Sequence, residues 1–373
     1  MLKTSRKKCT GCAACSYICP QKCIEMKKDK EHFISPTVNA KKCINCDLCN
    51  KICPINYKKI ESFEKKCYIA QLKDKNILKE CASGGAFYGI AQLILNNGGT
   101  VFGVCYVENQ LKYIKVTKKE ELILLTKSKY FQCELTTENY TELIEESNKN
   151  TILVSGTPCQ ISAMKNIPKL NKENTIFLEI LCQGVPNDFV IKKYDSEKEK
   201  KFNKKIVKHI FRSKDKYVGK NYLNKYMFND GSLKYYIGEE DPLSLTFQRQ
   251  MFLRESCYKC EYSQEQRVAD FTVGDYWEDD IKNKNIVLEN GVSIILCNTE
   301  KAQKFLKFID IFNVEERDYK KALKNNIPFH RSVKRPFARN YSYKLLELGL
   351  KPSIVAKIIC YKYYMKRIIK KLR

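Results

Sequence analysis

Hydrophobic residues in this chain fall into short runs that are separated by helically spaced segments and polar turns. The runs predict extended or buried strands at residues 68–70, 100–106, 151–155, 176–182 and 269–273. Two other segments repeat their apolar residues every three or four positions, which predicts helices over residues 87–95 and from Pro158 through Ile167. This order of strands and helices indicates a mixed α/β domain over most of the chain.

Both predicted helices begin at residues that are typical of helix starts. Ser83-Gly84-Gly85 precedes the first helix, where backbone N–H groups and the helix dipole attract an anion such as a cofactor phosphate. A serine N-cap followed by two turn glycines explains the same residues without a ligand. Thr157 suits the N-cap of the second helix and Pro158 its first position. Cys159 is therefore expected in the first turn, where the dipole stabilises a thiolate.

Two further stretches have patterns of their own. In the first, Cys23-Ile24-Glu25-Met26 alternates apolar and polar residues, Lys28-Asp29-Lys30-Glu31 is polar, and Phe33-Ile34 is apolar again. This order predicts a short β-hairpin. The second stretch, residues 192–205, is rich in charge and is expected to be a solvated loop or helix face.

A cysteine phrase, Cys-x2-Cys-x2-Cys-x3-Cys-Pro, occurs once on each side of the predicted hairpin. In two-cluster ferredoxins, this phrase gives three thiolates to one cubane and its fourth, proline-followed cysteine to the other. The expected ligands are Cys9, Cys12, Cys15 and Cys53 for the first 4Fe–4S cluster, and Cys43, Cys46, Cys49 and Cys19 for the second. Zinc knuckles or disulfides are the alternatives, but a four-Cys zinc site uses two Cys-x-x-Cys pairs. Cys23 lies outside the spacing and is expected to be a small buried hydrophobe.

The chain is strongly basic, with a formal net charge of +26 over 373 residues. Two oxidised clusters with their thiolates would remove only about four of these charges. Residues 1–60 hold thirteen Lys and Arg against four Asp and Glu. Such a surface favours an acidic electron-transfer partner, such as a ferredoxin or a dehydrogenase subunit. The lysines are dispersed and accompany no recognition-helix or RNP-like phrase, so nucleic acid is not expected as a partner.

The cysteine content and the hydropathy of the chain bear on its location. No signal peptide precedes Met1-Leu2-Lys3, and eight of the nineteen cysteines already have cluster spacing. We therefore expect a reducing, cytoplasmic compartment. No apolar run reaches the roughly 18 residues that a membrane span needs.

A third group of cysteines is predicted in the larger domain. Cys257-x2-Cys260, together with Cys159 at a helix start and Cys182 at a strand end, provides four thiols. Four is the ligand number of one more 4Fe–4S cluster, or of zinc. Alternatively, Cys159 is a lone reactive thiol and the other three are packing residues. Six further cysteines are expected to be buried hydrophobes: Cys67, Cys81, Cys105, Cys133, Cys297 and Cys360.

The combination of motifs resembles one family. The motifs are Ser83-Gly84-Gly85, Ser128-Lys129-Tyr130, Gly156-Thr157-Pro158-Cys159-Gln160, Cys182-x-Gly184, Cys257-x2-Cys260 and Gly274-Asp275-x-Trp277. With the cysteine phrases, they resemble the coenzyme F420 hydrogenase/dehydrogenase beta-subunit family with an N-terminal two-cluster ferredoxin domain, over roughly residues 1–300.

The resemblance implies an FAD-containing iron–sulfur oxidoreductase. By that resemblance, Ser83, Gly84 and Gly85 would approach the phosphates of FAD. Ser128, Lys129 and Tyr130 would line the flavin site, and Asp275 and Trp277 would lie near it. The substrate implied is a deazaflavin (coenzyme F420) or another two-electron acceptor.

The expected fold is α+β: a ferredoxin-like domain with two 4Fe–4S clusters, followed by a mixed α/β flavin-binding domain. The expected units are residues 1–60 (ferredoxin-type domain), 67–145 (N-terminal flavin-binding region), 151–340 (C-terminal region with the third cysteine group) and 341–373 (basic amphipathic tail). The expected function is electron transfer between a one-electron partner and FAD, and then to a two-electron substrate. The alternatives are an electron-transfer subunit without its own substrate and an accessory protein of surface-polysaccharide synthesis.

The tail combines basic and apolar residues. Residues 351–373 contain eight Lys and Arg and no acid, interleaved with apolar residues such as Ile354, Ile358 and Tyr363. Helical spacing would leave one basic face. The expectation is salt-sensitive peripheral attachment to an anionic membrane at its inner, cytoplasmic face. A C-terminal helix that packs on the domain with a solvated lysine face explains the same pattern.

Overall fold

The computed structural model describes residues 2–57, 66–107, 110–216, 223–305 and 310–365. The strands are β1 (Ile24–Lys28), β2 (Ile34–Val38), β3 (Lys66–Leu72), β4 (Thr100–Val107), β5 (Gln110–Val116), β6 (Ile152–Gly156), β7 (Thr175–Ile180), β8 (Ile206–Ile210), β9 (Leu223–Phe228), β10 (Leu233–Ile237), β11 (Phe271–Asp275), β12 (Ser293–Cys297) and β13 (Phe312–Arg317). The helices are α1 (Ala14–Ile18), α2 (Leu48–Lys51), α3 (Lys75–Glu80), α4 (Ala86–Asn96), α5 (Thr137–Ser147), α6 (Pro158–Lys165), α7 (Asp188–Phe202), α8 (Pro242–Gln248), α9 (Glu300–Lys304), α10 (Tyr319–Ala322), α11 (Ile327–His330), α12 (Arg339–Glu347) and α13 (Pro352–Ile359).

A mixed eight-stranded sheet organises the larger part of the described chain. Its strand order is β13-β3-β12-β11-β7-β6-β4-β5. The central strands β4, β6, β7 and β11 run parallel to one another, and the strands towards both edges are antiparallel. Because parallel strands end at the same edge, the loops after β6, β7 and β11 lie side by side, where open α/β sheets bind ligands. The mixed α/β architecture predicted for this part is confirmed.

Most of the predicted elements are confirmed, with shifts at their ends. The strand predicted at 176–182 ends at Ile180, so Cys182 lies just beyond it in the loop, and the strand predicted at 269–273 is shifted to 271–275. The helix predicted at 87–95 is α4, and Pro158 is the first residue of α6. The charge-rich run at 192–205 lies mostly in α7.

The N-terminal part folds as two short helices and the predicted hairpin. Strands β1 and β2 pair antiparallel from Ile24 with Val38 to Lys28 with Ile34. Gly11 and Asn45 occupy the same position in the two cysteine phrases, and both have left-handed backbone, with φ of 69° and 52°. Asn is one of the few side chains that tolerate this conformation, which explains how it replaces glycine in the second phrase.

Some predictions fall outside the described residues. The boundary expected between residues 60 and 67 lies largely in the segment 58–65, and the last part of the basic tail lies in 366–373. Among the described residues, no helix has the length and the apolar character needed to cross a membrane.

Candidate functional site

The first set of predicted ligands converges at the start of α1. Burial raises the pKa of the Cys12 thiol to about 12, and the neighbouring sulfurs of Cys9 and Cys53 act in the same direction. The pKa of Cys15 is also raised, first by burial and then by the proximity of Cys12, Cys9 and Cys53. The structure therefore brings the four thiols assigned to the first cluster together, including Cys53 from the second phrase.

The second set of predicted ligands lines one cavity. Cys19 from the first phrase faces Cys43, Cys46 and Cys49 from the second across this cavity. Cys23 lines it as well, with its Sγ 3.4 Å from the Sγ of Cys19. The burial expected for Cys23 is confirmed, at 6% exposure, but the side chain is also a direct neighbour of the ligand thiols, which the spacing did not reveal.

The third cysteine group assembles at the carboxyl edge of the sheet. Cys159 follows β6, Cys182 follows the adjacent parallel strand β7, and a 3₁₀ turn at Glu255–Lys259 presents Cys257 and leads to Cys260. Burial raises the pKa of Cys159 to about 12, and the neighbouring thiols of Cys260 and Cys257 add to the shift. The pKa of Cys182 is raised well above its usual value by burial and then by Cys257, Cys159 and Cys260.

The local fold at Cys159 depends on the predicted helix cap. Thr157 and Gln160 form a capping box, in which the Thr157 hydroxyl and backbone N–H both donate to Oε1 of Gln160, at 3.0 and 3.2 Å. The Thr157 hydroxyl also lies 3.3 Å from Sγ of Cys159. Burial raises the pKa of the Cys159 thiol and so opposes the thiolate that the helix start is expected to favour.

The described residues contain no group of three or more His, Cys, Asp or Glu side chains that could hold a metal ion. This includes the cysteines of the two ferredoxin phrases as well as the third group.

Buried polar side chains connect the first cysteine set to the third. Arg254, which is 4% exposed, donates from Nε to the carbonyl of Cys9 at 2.8 Å and from Nη1 to Gln132 at 2.9 Å. Its charge lowers the pKa of the thiols of both Cys159 and Cys257 against the larger effect of burial. Arg254 therefore lies between the cysteine phrase at Cys9 and the third group.

Two tyrosines lie in the same interface. The Tyr140 hydroxyl donates to the carbonyl of Cys12 at 2.6 Å, and the Tyr262 hydroxyl donates to the carbonyl of Pro54 at 2.7 Å. Both phenols are electrostatic neighbours of Cys12 and of Cys159. The N-terminal part is thus packed so that its first cysteine set faces the third group across a thin layer of side chains.

The residues predicted to line a flavin site are only partly brought together. Arg212 Nη1 donates to Oδ2 of Asp275, the last residue of β11, at 2.7 Å. The Tyr130 phenol interacts with the side chains of both Ser128 and Arg212. Tyr130, Ser128 and Asp275 therefore meet at one place, beside the loop that carries Cys182.

The same place has an apolar wall and a partly buried cation. The Tyr130 ring stacks on Phe247, with ring centroids 4.8 Å apart. The cavity beside it is lined by Tyr130, Pro186, Ile191, Phe211, Leu243, Ser244, Phe247 and Gln248. Lys214 is close enough to Arg212 and Asp275 to feel both charges, and burial, followed by the nearby cations, lowers its pKa to about 8.

The remaining predicted flavin residues have other contacts. Nζ of Lys129 points back to the carbonyls of Leu125 and Thr126, at 2.9 and 2.5 Å. Trp277 lies two residues beyond β11 and is half-buried. The carbonyl of Ser83 accepts a hydrogen bond from Nζ of Lys214 at 2.6 Å, which links Ser83-Gly84-Gly85 to the site around Tyr130.

Gly84 has a packing role in the sheet. A Cβ on Gly84 would lie 2.1 Å from the carbonyl oxygen of Ala70 in β3 and 2.5 Å from the backbone nitrogen of Ser293 in β12. The Ser83 hydroxyl donates to the carbonyl of Val292 at 2.8 Å. Glycine is therefore required at this position because the chain passes close to the backbone of the sheet, and this requirement does not depend on a bound phosphate.

Sequence reasoning missed the cations Arg212, Lys214 and Arg254 and the tyrosines Tyr140 and Tyr262. In a chain with 68 Lys and Arg and 23 Tyr, single cations and phenols carry no local signal. The one available hint was the position of Arg254, three residues before Cys257.

Two family descriptions match the chain. Residues 149–320 match the C terminus of the beta subunit of coenzyme F420 hydrogenase/dehydrogenase, and residues 8–57 match a 4Fe-4S dicluster domain. The predicted N-terminal ferredoxin-type domain is thereby confirmed. Among solved structures, a chain of the F420-reducing NiFe hydrogenase complex from Methanosarcina barkeri, studied as a xenon derivative, is similar with a TM-score of 0.49 and 16% identity, covering 73% of this chain and 90% of that one. No curated protein matches the chain.

Proposed function

We propose that the chain is an iron–sulfur flavoprotein oxidoreductase, because residues 149–320 match the C terminus of the beta subunit of coenzyme F420 hydrogenase/dehydrogenase and residues 8–57 match a 4Fe-4S dicluster domain. It exchanges electrons with a ferredoxin-like one-electron partner and, through FAD, with a deazaflavin or another two-electron substrate. When bound, the clusters carry single electrons and FAD accepts two, so the set couples one-electron to two-electron chemistry.

The observation that carries the proposal is the spatial order of three sites: the first cysteine set, the third cysteine group and the cavity beside Tyr130. The cysteines of the first cluster face the third cysteine group across Arg254, Tyr140 and Tyr262. The segment after Cys182 connects the third group to the cavity beside Tyr130. At one end, a Cβ on Gly184 would lie 3.1 Å from Cβ of Cys257. Two residues further on, Pro186 lines the cavity. Electron transfer requires redox centres that lie near one another, and this order of sites supports such a path.

The residues around Tyr130 fit a flavin nucleotide in their chemistry. The cations Arg212 and Lys214 suit a pyrophosphate, and the stacked rings of Tyr130 and Phe247 offer an aromatic wall. The Arg212–Asp275 ion pair, at 2.7 Å, fixes both side chains beside Tyr130. In this proposal, Cys159, Cys182, Cys257 and Cys260 hold a third 4Fe–4S cluster between the ferredoxin domain and this cavity.

Metal and flavin analysis of anaerobically purified protein tests the proposal. Three clusters give about twelve irons per chain and two give about eight, at four irons per cluster. Cys257→Ala should lower the iron content by about four and slow the reduction of the flavin by external donors. The matched control is Cys297→Ala, since Cys297 is equally a cysteine but is fully buried in the sheet, at 0% exposure; it should keep the iron content of the wild type.

Several outcomes would contradict the proposal. An unchanged iron content in Cys257→Ala, with wild-type flavin reduction, would exclude the third cluster, and stoichiometric zinc would assign these thiols to zinc. Wild-type protein without flavin after reconstitution would overturn the flavoprotein assignment. Reduced ferredoxin and reduced deazaflavin, each added to the purified protein while the flavin absorbance is followed, identify the substrate class. Flavin reduction without turnover of any acceptor would indicate an electron-transfer subunit whose catalysis occurs on a partner chain.

A further inference from the structure

The C-terminal helix α13 has two apolar faces. One face is packed in the protein: Val355, Ala356, Ile359 and Cys360 are at most 8% exposed, and the helix contacts α7 and α8. The other face is exposed: Ile354 and Ile358 are 43% and 48% exposed. Packing of the first face accounts for the helix itself and leaves the second face unexplained.

The exposed apolar residues continue beyond α13 in both directions. Tyr361 and Met365, at 58% and 52% exposure, lie in the helical residues 361–365, which follow the Cys360 cap of α13. On the preceding segment, Phe337 and Leu348 are 79% and 67% exposed. These two are the most exposed large hydrophobic side chains of the described chain, and both lie within the same C-terminal stretch of the sequence as α13.

The charge of the same segment has a single sign. Lys351, Lys357 and Lys362 are all exposed beside the apolar face. The last acidic residue of the chain is Glu347, which lies 3.6 Å from His32, so no acid follows it on the helix. Outside this segment, the Glu197 carboxylate of α7 accepts a hydrogen bond from the backbone N–H of Ser353, beside Ile354. An exposed apolar face whose own segment carries only cations is complementary to an interface that is apolar inside and anionic at its surface.

We propose that this tail face, formed by Ile354, Ile358, Tyr361 and Met365 with Lys351, Lys357 and Lys362, binds the surface of an anionic lipid bilayer. The apolar side chains enter the boundary between headgroups and acyl chains, and the lysines stay at the phosphate level. Each lysine contributes at most about 1 kcal/mol near such a surface, so attachment is reversible and salt-sensitive. An acidic protein would match the lysines but would leave the aliphatic face without an apolar acceptor.

The structure selects the variants for a test. Removing residues 351–373 would also remove Val355 and Ile359 from the core, so point substitutions on the exposed face are preferable to a truncation. Ile358→Glu removes an apolar contact and reverses the local charge at an exposed position. Leu124→Glu is a matched control, because Leu124 is also 48% exposed but lies on the 3₁₀ segment Lys119–Leu125.

The measurement is co-sedimentation of the full chain with phosphatidylcholine vesicles that contain or lack phosphatidylserine. The wild type and Leu124→Glu should sediment with the anionic vesicles and be released by salt. Ile358→Glu, and separately Lys357→Gln with Lys362→Gln, should weaken binding about tenfold, the factor that corresponds to about 1.4 kcal/mol. Iron content equal to that of the wild type verifies that each variant is folded.

Two results would overturn the proposal. Equal sedimentation of the wild type and Ile358→Glu would show that lipid contact, if any, occurs elsewhere. Failure of the wild type to bind anionic vesicles at low salt would leave an acidic protein as the occupant of this face. Neither result affects the iron and flavin content on which the proposed function is judged.

Discussion

The buried side chain of Arg254 favours glycine at position 11 in the first cysteine phrase. A Cβ on Gly11 would lie 2.7 Å from Nη1 of Arg254, and Gly11 also has a φ of 69°. Asn45, at the same position in the second phrase, has a φ of 52° but is exposed to solvent. The two phrases therefore differ at this position because only the first is packed against the buried guanidinium that faces the third cysteine group.

Six of the cysteines outside the ligand groups have the burial of packing residues. The six cysteines expected to be packing residues are all buried, between 0% and 5% exposed. This confirms the expectation. Spacing was sufficient to predict the ferredoxin ligands, because consecutive ligands lie within a few residues. It could not show that Cys23 contacts Cys19 in the cavity of the second set, since this contact depends on how the chain turns after Pro20.

Lys129 gives the protein a pH-dependent stability. Burial lowers its pKa from 10.5 to about 7. Between these values the unfolded chain binds a proton that the folded protein does not, so the stability rises with pH from 7 to 10.5, by up to about 1.4 kcal/mol per pH unit. In Lys129→Met this contribution is absent. The difference in melting temperature between wild type and variant should therefore shift in favour of the wild type as the pH rises through this range.

The control for this prediction is Lys119→Met, at an exposed position just upstream. Its melting temperature should follow that of the wild type in parallel across the same pH range. A parallel profile for Lys129→Met as well would show that Lys129 keeps its proton in the folded protein. A bound flavin phosphate close to Lys129 would have that effect, because a nearby negative charge favours the protonated amine.

At the scale of elements, local patterns predicted most of the buried strands of the large sheet. Strands β3, β4, β6, β7 and β11 were predicted, because central strands of a parallel or mixed sheet appear as continuous apolar runs. Strand β12 was not predicted, although all five of its residues are buried, and its contact with β3 joins segments more than 200 residues apart. The small antiparallel sheet of β8, β9 and β10 was also missed, because its strands contain lysines and exposed apolar residues such as Val207.

The junction between β3 and α4 yields a prediction about Gly84. Gly84→Val should lower the free energy of unfolding by more than about 3 kcal/mol, because its side chain would collide with the backbone of both β3 and β12. Gly98→Ala is the control: Gly98 follows α4 in a turn, with a φ of 73° and no atom within 4 Å of an added Cβ. It should cost only about 1 kcal/mol, from backbone strain.

Thermal unfolding and iron content of both variants check this prediction. If Gly84→Val is folded and as stable as Gly98→Ala, the close approach to the sheet does not constrain this glycine. Loss of flavin in a destabilised Gly84→Val would not identify a phosphate site, because the same substitution disrupts the sheet. Substitutions at Tyr130 or Arg212, away from this contact, are better probes of flavin binding.

At the scale of the whole molecule, the ferredoxin domain is fixed to the sheet domain by buried polar contacts that come from distant positions. Arg254 and Tyr262 bind the backbone of the cysteine phrases, and Arg339 binds Glu31 in the turn of the hairpin. These contacts span roughly 200 to 300 residues, so no local pattern predicts them. They hold the ferredoxin domain in one orientation, in which the first cysteine set, and not the second, faces the third group.

The contact between Arg339 and Glu31 tests how strongly this orientation is held. The Arg339 side chain is fully buried, and its Nη1 and Nη2 donate to the two carboxylate oxygens of Glu31 at 2.9 and 2.7 Å. Glu31→Ala should cost about 3 kcal/mol, because a buried guanidinium is left without its counter-ion. Combining it with Arg339→Met should recover part of this loss, since the unpaired charge is removed. The measurement is thermal or urea unfolding of the four proteins of the cycle under anaerobic conditions.

A second ion pair on the same hairpin provides the control. Lys27 and Glu25 lie 3.0 Å apart, but their side chains are 54% and 71% exposed. Glu25→Ala should therefore change the stability by less than about 1 kcal/mol. If Glu31→Ala is as mild as Glu25→Ala, the buried pair does not hold the ferredoxin domain, and the orientation would depend on Arg254 and the tyrosines alone. A large loss of stability in Glu31→Ala that Arg339→Met partly reverses would instead show that the buried charge of Arg339 holds the ferredoxin domain in place. Arg254, which is also a buried cation, would then act between the two cysteine sets by the same physical principle.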